Sequence, residues 1–86
     1  MRLLGKDKLQ VALDNDARVW LRSWIAELAS AQWKEAGDVL AQFPRATLAA
    51  PDTFIFRVGA AVWIIELTVH FPQGIALVVS MERAAS

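Results

Sequence analysis

Apolar positions change their period midway along the chain. From residue 17 to residue 31 they recur three and four apart, at Ala17, Trp20, Leu21, Trp24, Leu28 and Ala31, which is one broad stripe along an α-helix. The Asp-Asn-Asp run at 14 to 16 offers N-cap chemistry at its start. A shorter helical pattern precedes it, Lys6 to Leu13, with Leu9, Ala12 and Leu13 on one side. Another follows, Lys34 to Phe43, turning Val39, Leu40 and Phe43 inward until Pro44 stops it. Gly37 weakens that helix, and the alanine-rich stretch before Pro51 fits either a short strand or an irregular connection.

The second half alternates instead. Thr53 to Val58 and Ala61 to Phe71 read as strands around a turn at Gly59 and Ala60; Pro72 to Gly74 turns again, and Ile75 to Met81 returns. Helices followed by such a meander predict an α+β fold, with the N-terminal helices packed on one face of a small antiparallel sheet. In the long strand Ala61, Trp63, Ile65, Leu67, Val69 and Phe71 point toward the helices, and Val62, Ile64, Glu66, Thr68 and His70 point away. Phe54, Phe56 and Val58 share the inner face, leaving Ile55 and Arg57 outside. In the last strand the same count sets Ser80 and Glu82 against Ile75, Leu77, Val79 and Met81. Arg57, Glu66, Thr68, His70, Ser80 and Glu82 thus fall on one open face.

Composition narrows the function classes. The 86 residues fit a single domain spanning 1–86, and a hydrophobic share of 56% is high for so short a chain, which leaves room for a covering partner or a homo-oligomer. There is no cysteine and one histidine, so neither a thiol nucleophile nor a dedicated metal site is expected, and no cofactor motif is visible. Nine basic residues balance nine acidic ones, which counts against a strong phosphate binder, although Arg2, Lys6 and Lys8 gather near the N-terminus. No apolar run is long enough to span a bilayer, and MRLLGKDKLQ lacks the apolar centre of a signal peptide, so the expectation is a cytoplasmic protein with no membrane partner.

Several short strings, in order and nearly end to end, carry a family resemblance: RLLGKDKL at the start, DAR at 16 to 18, Leu21 with Trp24, AQW at 31 to 33, Asp38, FPRA at 43 to 46, Phe56, and QGI at 73 to 75. In these the chain resembles the HigB-type toxins of bacterial toxin/antitoxin pairs, relatives of the RelE-like ribosome-dependent ribonucleases. The resemblance implies a RelE-like α+β domain that cleaves mRNA on the ribosome without a metal or cofactor. It also implies a HigA-like helix-turn-helix antitoxin as partner. Where the family shows phenylalanine-asparagine, a glycine-asparagine turn and tyrosine-arginine, this chain has Phe56 with Arg57, Ala60 with Ala61, and Trp63 with Ile64. The family's threonine-histidine-x-glutamate-tyrosine-aspartate tail is replaced by MERAAS.

Cleavage of this kind needs a base for the ribose 2′-hydroxyl, cations for the phosphate and a proton donor for the leaving oxygen. The candidate catalytic residues are Arg57, His70 and Arg83, and the candidate RNA-binding residues are Lys6 and Lys8. Each has a plainer reading. Arg57 is placed to pair with Glu66 across the hairpin, and His70 is a strand-end histidine before a turn. Glu66 and His70 lie four residues apart on one strand, about 13 Å, too far for an acid/base dyad. The tryptophans fit core packing better than a base-stacking platform, with Trp33 the one expected to be partly exposed. Two functions remain open: an mRNA endoribonuclease toxin, or an impaired descendant of one, and a non-catalytic module with the same fold that binds a protein partner or its own copy.

Overall fold

Three residues near the N-terminus, Arg2–Leu4, form a strand that periodicity does not reveal, and their partner lies at the other end of the chain. In the computed structural model, which describes residues 1–9, 15–58 and 63–83, this strand (β1) leads through a single 3-10 turn at Lys6–Lys8 toward α1 (Asn15–Ser30) and α2 (Ala36–Gln42). Four strands follow: β2 (Thr47–Ala50), β3 (Thr53–Val58), β4 (Trp63–His70) and β5 (Ile75–Arg83). The sheet order is β1-β5-β4-β3-β2, antiparallel throughout except where β1 runs parallel to β5. The fold is α+β, as the periodicity implies, but the sheet is mixed rather than purely antiparallel.

The helical stripe is realised closely. Ala17, Leu21, Trp24 and Leu28 of α1 are buried, with Ala31 just beyond it, and the helix lies over β1 and β3. Beneath it Phe54, Phe56, Val58, Ile65, Leu67 and Val69 are buried at alternate positions of β3 and β4. At about 1.5 to 3 kcal/mol for each fully buried large aliphatic or Phe side chain, this one layer is the main source of stability. An aromatic chain runs through it: Trp20 stacks on Trp24 (6.0 Å), Trp24 meets Phe56 edge-on (5.3 Å), and Phe56 meets Phe43 (5.3 Å). Phe43 then meets Trp33 (6.1 Å).

Three expectations need correction. The helix over Lys6 to Leu13 is reduced, in its described part, to the 3-10 turn at Lys6–Lys8, with Leu9 extended and buried after it. Residues 10–14, which include Asp14 of the capping run, lie outside the described residues, as does the turn at Gly59 and Ala60 with the start of the long strand. Trp33 is buried, its Nε1–H donating to Gln42 Oε1 (2.9 Å), and the half-buried tryptophans are Trp20 and Trp63. Third, the inner residues of β5 are Ala76, Val78 and Met81, not Ile75, Leu77 and Val79. A bulge explains the difference. Glu66 pairs with Ser80 while Leu67 pairs with Val78, so Val79 is the extra residue and alternation changes phase there.

Gly37 does not break α2, because the helix start is well capped. Glu35 and Asp38 form a reciprocal capping box, and Asp38 Oδ2 accepts from the backbone N–H of Lys34 (2.8 Å) and Glu35 (3.2 Å). Asp38→Ala leaves those donors without an acceptor from the protein. The expected loss is about 1 kcal/mol in urea unfolding; an unchanged midpoint would show that α2 holds by packing alone.

Candidate functional site on the open sheet face

The helices cover one face of the sheet, and register assembles the other row by row. Arg57, Ile64 and Glu82 stand side by side across β3, β4 and β5; Ile55, Glu66 and Ser80 form the next row. Thr53, Thr68, Leu77 and Leu4 form a third row, in which the two threonine hydroxyls approach to 3.3 Å. His70, Ile75 and Arg2 form a fourth row at the far end. The centre of this face is aliphatic and its ends are charged. Ile55, Ile64, Ile75 and Leu77 are half-buried by their neighbours, while Leu4 and Val79 are exposed.

Parity therefore placed Arg57, Glu66, Thr68, His70, Ser80 and Glu82 on the open face as expected, but the rows separate them. Arg57 is level with Ile64, six residues before His70 on β4, so Arg57 and His70 stand about 20 Å apart along the sheet. One phosphate cannot touch both. Arg83 is the cross-strand partner of Trp63 and lies over that ring, guanidinium carbon to centroid 5.9 Å. Trp63 packs against the helix-side core, so Arg83 belongs to the opposite face, where a cation–π contact accounts for its position. Lys6 and Lys8 are exposed in the 3-10 turn beyond β1, three strand spacings or about 14 Å from β3.

What the register does bring together is a charged rim around Ile64. Arg57 and Glu82 are its direct cross-strand neighbours, and Glu66 follows two residues along β4. The ion pair between Arg57 and Glu66 is not formed, because Glu66 faces Ile55 across the hairpin rather than Arg57. Alternation shows that Glu82 shares this face, yet only the bulge at Val79 sets it level with Arg57. The rim holds a cation and two carboxylates, but at its centre sits an isoleucine, which supplies neither charge nor forked donors to a phosphate. Among the described residues no three His, Asp or Glu side chains gather as a metal site, and no helix is long and apolar enough to cross a membrane.

The chain matches no known protein-family model, and no curated protein matches it.

Proposed function

We propose that this chain is a HigB-like toxin module of a type II toxin/antitoxin pair, descended from ribosome-associated mRNA endoribonucleases and weakened in cleavage. The observation that carries the reading is the open sheet face with Arg57 at its charged end, opposite the face that α1 covers. That surface suits an extended single strand lying across β3, β4 and β5, with Arg57 on a phosphate and Glu66 or Glu82 beside the ribose hydroxyl. The strand strings from RLLGKDKL to QGI add the order of elements expected of the family. Its partner on this reading is a HigA-like helix-turn-helix antitoxin, and its substrate is mRNA on the ribosome. On this reading the site centres on Arg57; His70 lies at the far end of the sheet and Arg83 on the other face.

A second reading draws on a different feature of the same face. Leu4, Ile55, Ile64, Ile75 and Leu77 form an aliphatic patch that a protein would cover more favourably than RNA, which suits a non-catalytic interaction module. One experiment separates the two. The chain is induced alone in a bacterial host and 5′ ends are mapped across the transcripts. New mRNA 5′ ends that disappear in Arg57→Ala support the toxin reading. Normal growth with unchanged transcripts removes the nuclease claim and leaves the interaction module.

A further inference from the structure

At the edge of β3 that β2 leaves uncovered lies a pocket of about 290 Å³, lined from the helix side by Trp20, Phe43 and Phe56, from the following turn by Pro44 and Arg45, and at the strand edge by Arg57, which is rooted on the open face. We propose that it binds a planar ring carrying an anionic group, of the size of one mononucleotide or one aromatic carboxylate. The volume is near the lower end of small-molecule sites, which suits a ligand of that size.

Two arginines reach this corner by different routes. Arg57 is near the end of β3, past the stretch that β2 covers, and Arg45 sits in the turn two residues before β2 begins with Thr47 opposite Ile55. No carboxylate lines the pocket among the described residues, and neither arginine is ion-paired there. Both arginines border the same pocket, so an anion bound there can accept from forked guanidinium N–H groups. An adjoining hollow holds Ser23 and Glu27; it shares Trp20 and Phe43 with the pocket but neither arginine. An anionic ligand is therefore directed toward Arg45 and Arg57.

The apolar wall is made in advance. Trp20 is half-buried and held by its stack on Trp24 (6.0 Å, 19° between planes), while Phe43 and Phe56 lock edge to face (5.3 Å, 88°). Pro44 stiffens the turn that carries Arg45. A flat ring thus finds the half-buried Trp20 and Phe43 already positioned, with the buried Phe56 behind them, and little ordering entropy is spent on binding. Both a base with its phosphate and an aromatic acid present this combination of ring and charge.

The test uses the intact chain, labelled with ¹⁵N, and reads its tryptophan indole resonances at low salt. The Trp20 signal is assigned by its loss in Trp20→Phe. We expect GMP or benzoate to shift that resonance saturably, with guanosine at least tenfold weaker than GMP. In the double variant Arg45→Ala, Arg57→Ala the midpoint should rise at least tenfold while the other indole positions stay in place, showing an intact fold. Binding of GMP alone assigns the nucleotide as the source, and binding of benzoate alone assigns an aromatic carboxylate. The proposal is overturned if neither ligand shifts Trp20, if inorganic phosphate does so as well as GMP, or if the double variant binds undiminished. The measurement involves no ribosome and no cleavage, so it stands or falls separately from the toxin reading.

Discussion

Trp24→Ala should unfold most of the protein at room temperature. Trp24 is 1% exposed, stacks on Trp20 and meets Phe56 edge-on, so it joins α1 to β3 through the centre of the core. Truncating a buried aromatic to alanine costs about 3 to 5 kcal/mol, partly for lost transfer energy and partly for the cavity. A domain of this size begins with a total not far above that. The expected readout is loss of near-ultraviolet circular dichroism in the variant without denaturant. Trp24→Phe should behave quite differently. The Trp24 Nε1–H is buried with no acceptor from the protein, and phenylalanine removes that orphan donor while keeping most of the ring. An unsatisfied buried donor costs about 1 to 3 kcal/mol, which offsets much of the packing lost to the smaller ring. Urea unfolding of the two variants checks the pair: if Trp24→Phe is as damaging as Trp24→Ala, the indole N–H has a partner in solution that the packing does not suggest.

Gly5→Ala should cost about 2 to 4 kcal/mol, for two separable reasons. Gly5 has φ +80°, a left-handed conformation that an L side chain adopts at a penalty, and a Cβ there would lie 2.7 Å from the backbone oxygen of Val78. That oxygen belongs to β5, so relief requires the short β1–β5 pairing to shift. Gly74 offers the control. Its φ is +66° but nothing lies within 4 Å of the added carbon, so Gly74→Ala carries the conformational penalty alone, about 1 kcal/mol. The difference between the two midpoints in urea measures the close approach of the chain start to β5. Equal losses would mean that β1 does not hold its place beside Val78.

The open face bears on how the candidate site is read from sequence. Alternation correctly put Arg57, Glu66, His70 and Glu82 on one side, because side-chain direction on a strand is a local property of the backbone. It said nothing of which residues stand level, and that is what decides chemistry. Arg57 is level with Ile64 and Glu82, and His70 with Ile75 and Arg2, so a plausible group of catalytic residues separates into two ends of the sheet. Arg83 is separated from them by face: the count that sets Glu82 on the open side already sets Arg83 on the other, with Met81, and there it lies over Trp63. The pocket at Arg45 carries no periodic signal, since its lining comes from a helix, a turn and a strand edge that meet only after folding.

The sequence by itself determined the elements whose cause is local. The three-four spacing of Ala17, Leu21, Trp24 and Leu28 fixes α1 and its buried side; Pro44 ends the second helical stretch; and the twofold alternation of β3 and β4 sets their inner and outer residues. Only the tertiary structure decided the matters that depend on distant partners. Arg2–Leu4 is too short to show a period and becomes a strand because Ile75–Leu77 offers it a parallel edge. The bulge at Val79 is visible only in the pairing of β4 with β5, and that single extra residue exchanges the faces of Ile75 and Leu77 with those of Ala76 and Val78. Trp33 is buried rather than exposed because Gln42 and Phe43 close over it. Local periodicity states which way a side chain points; register and packing state what it meets there.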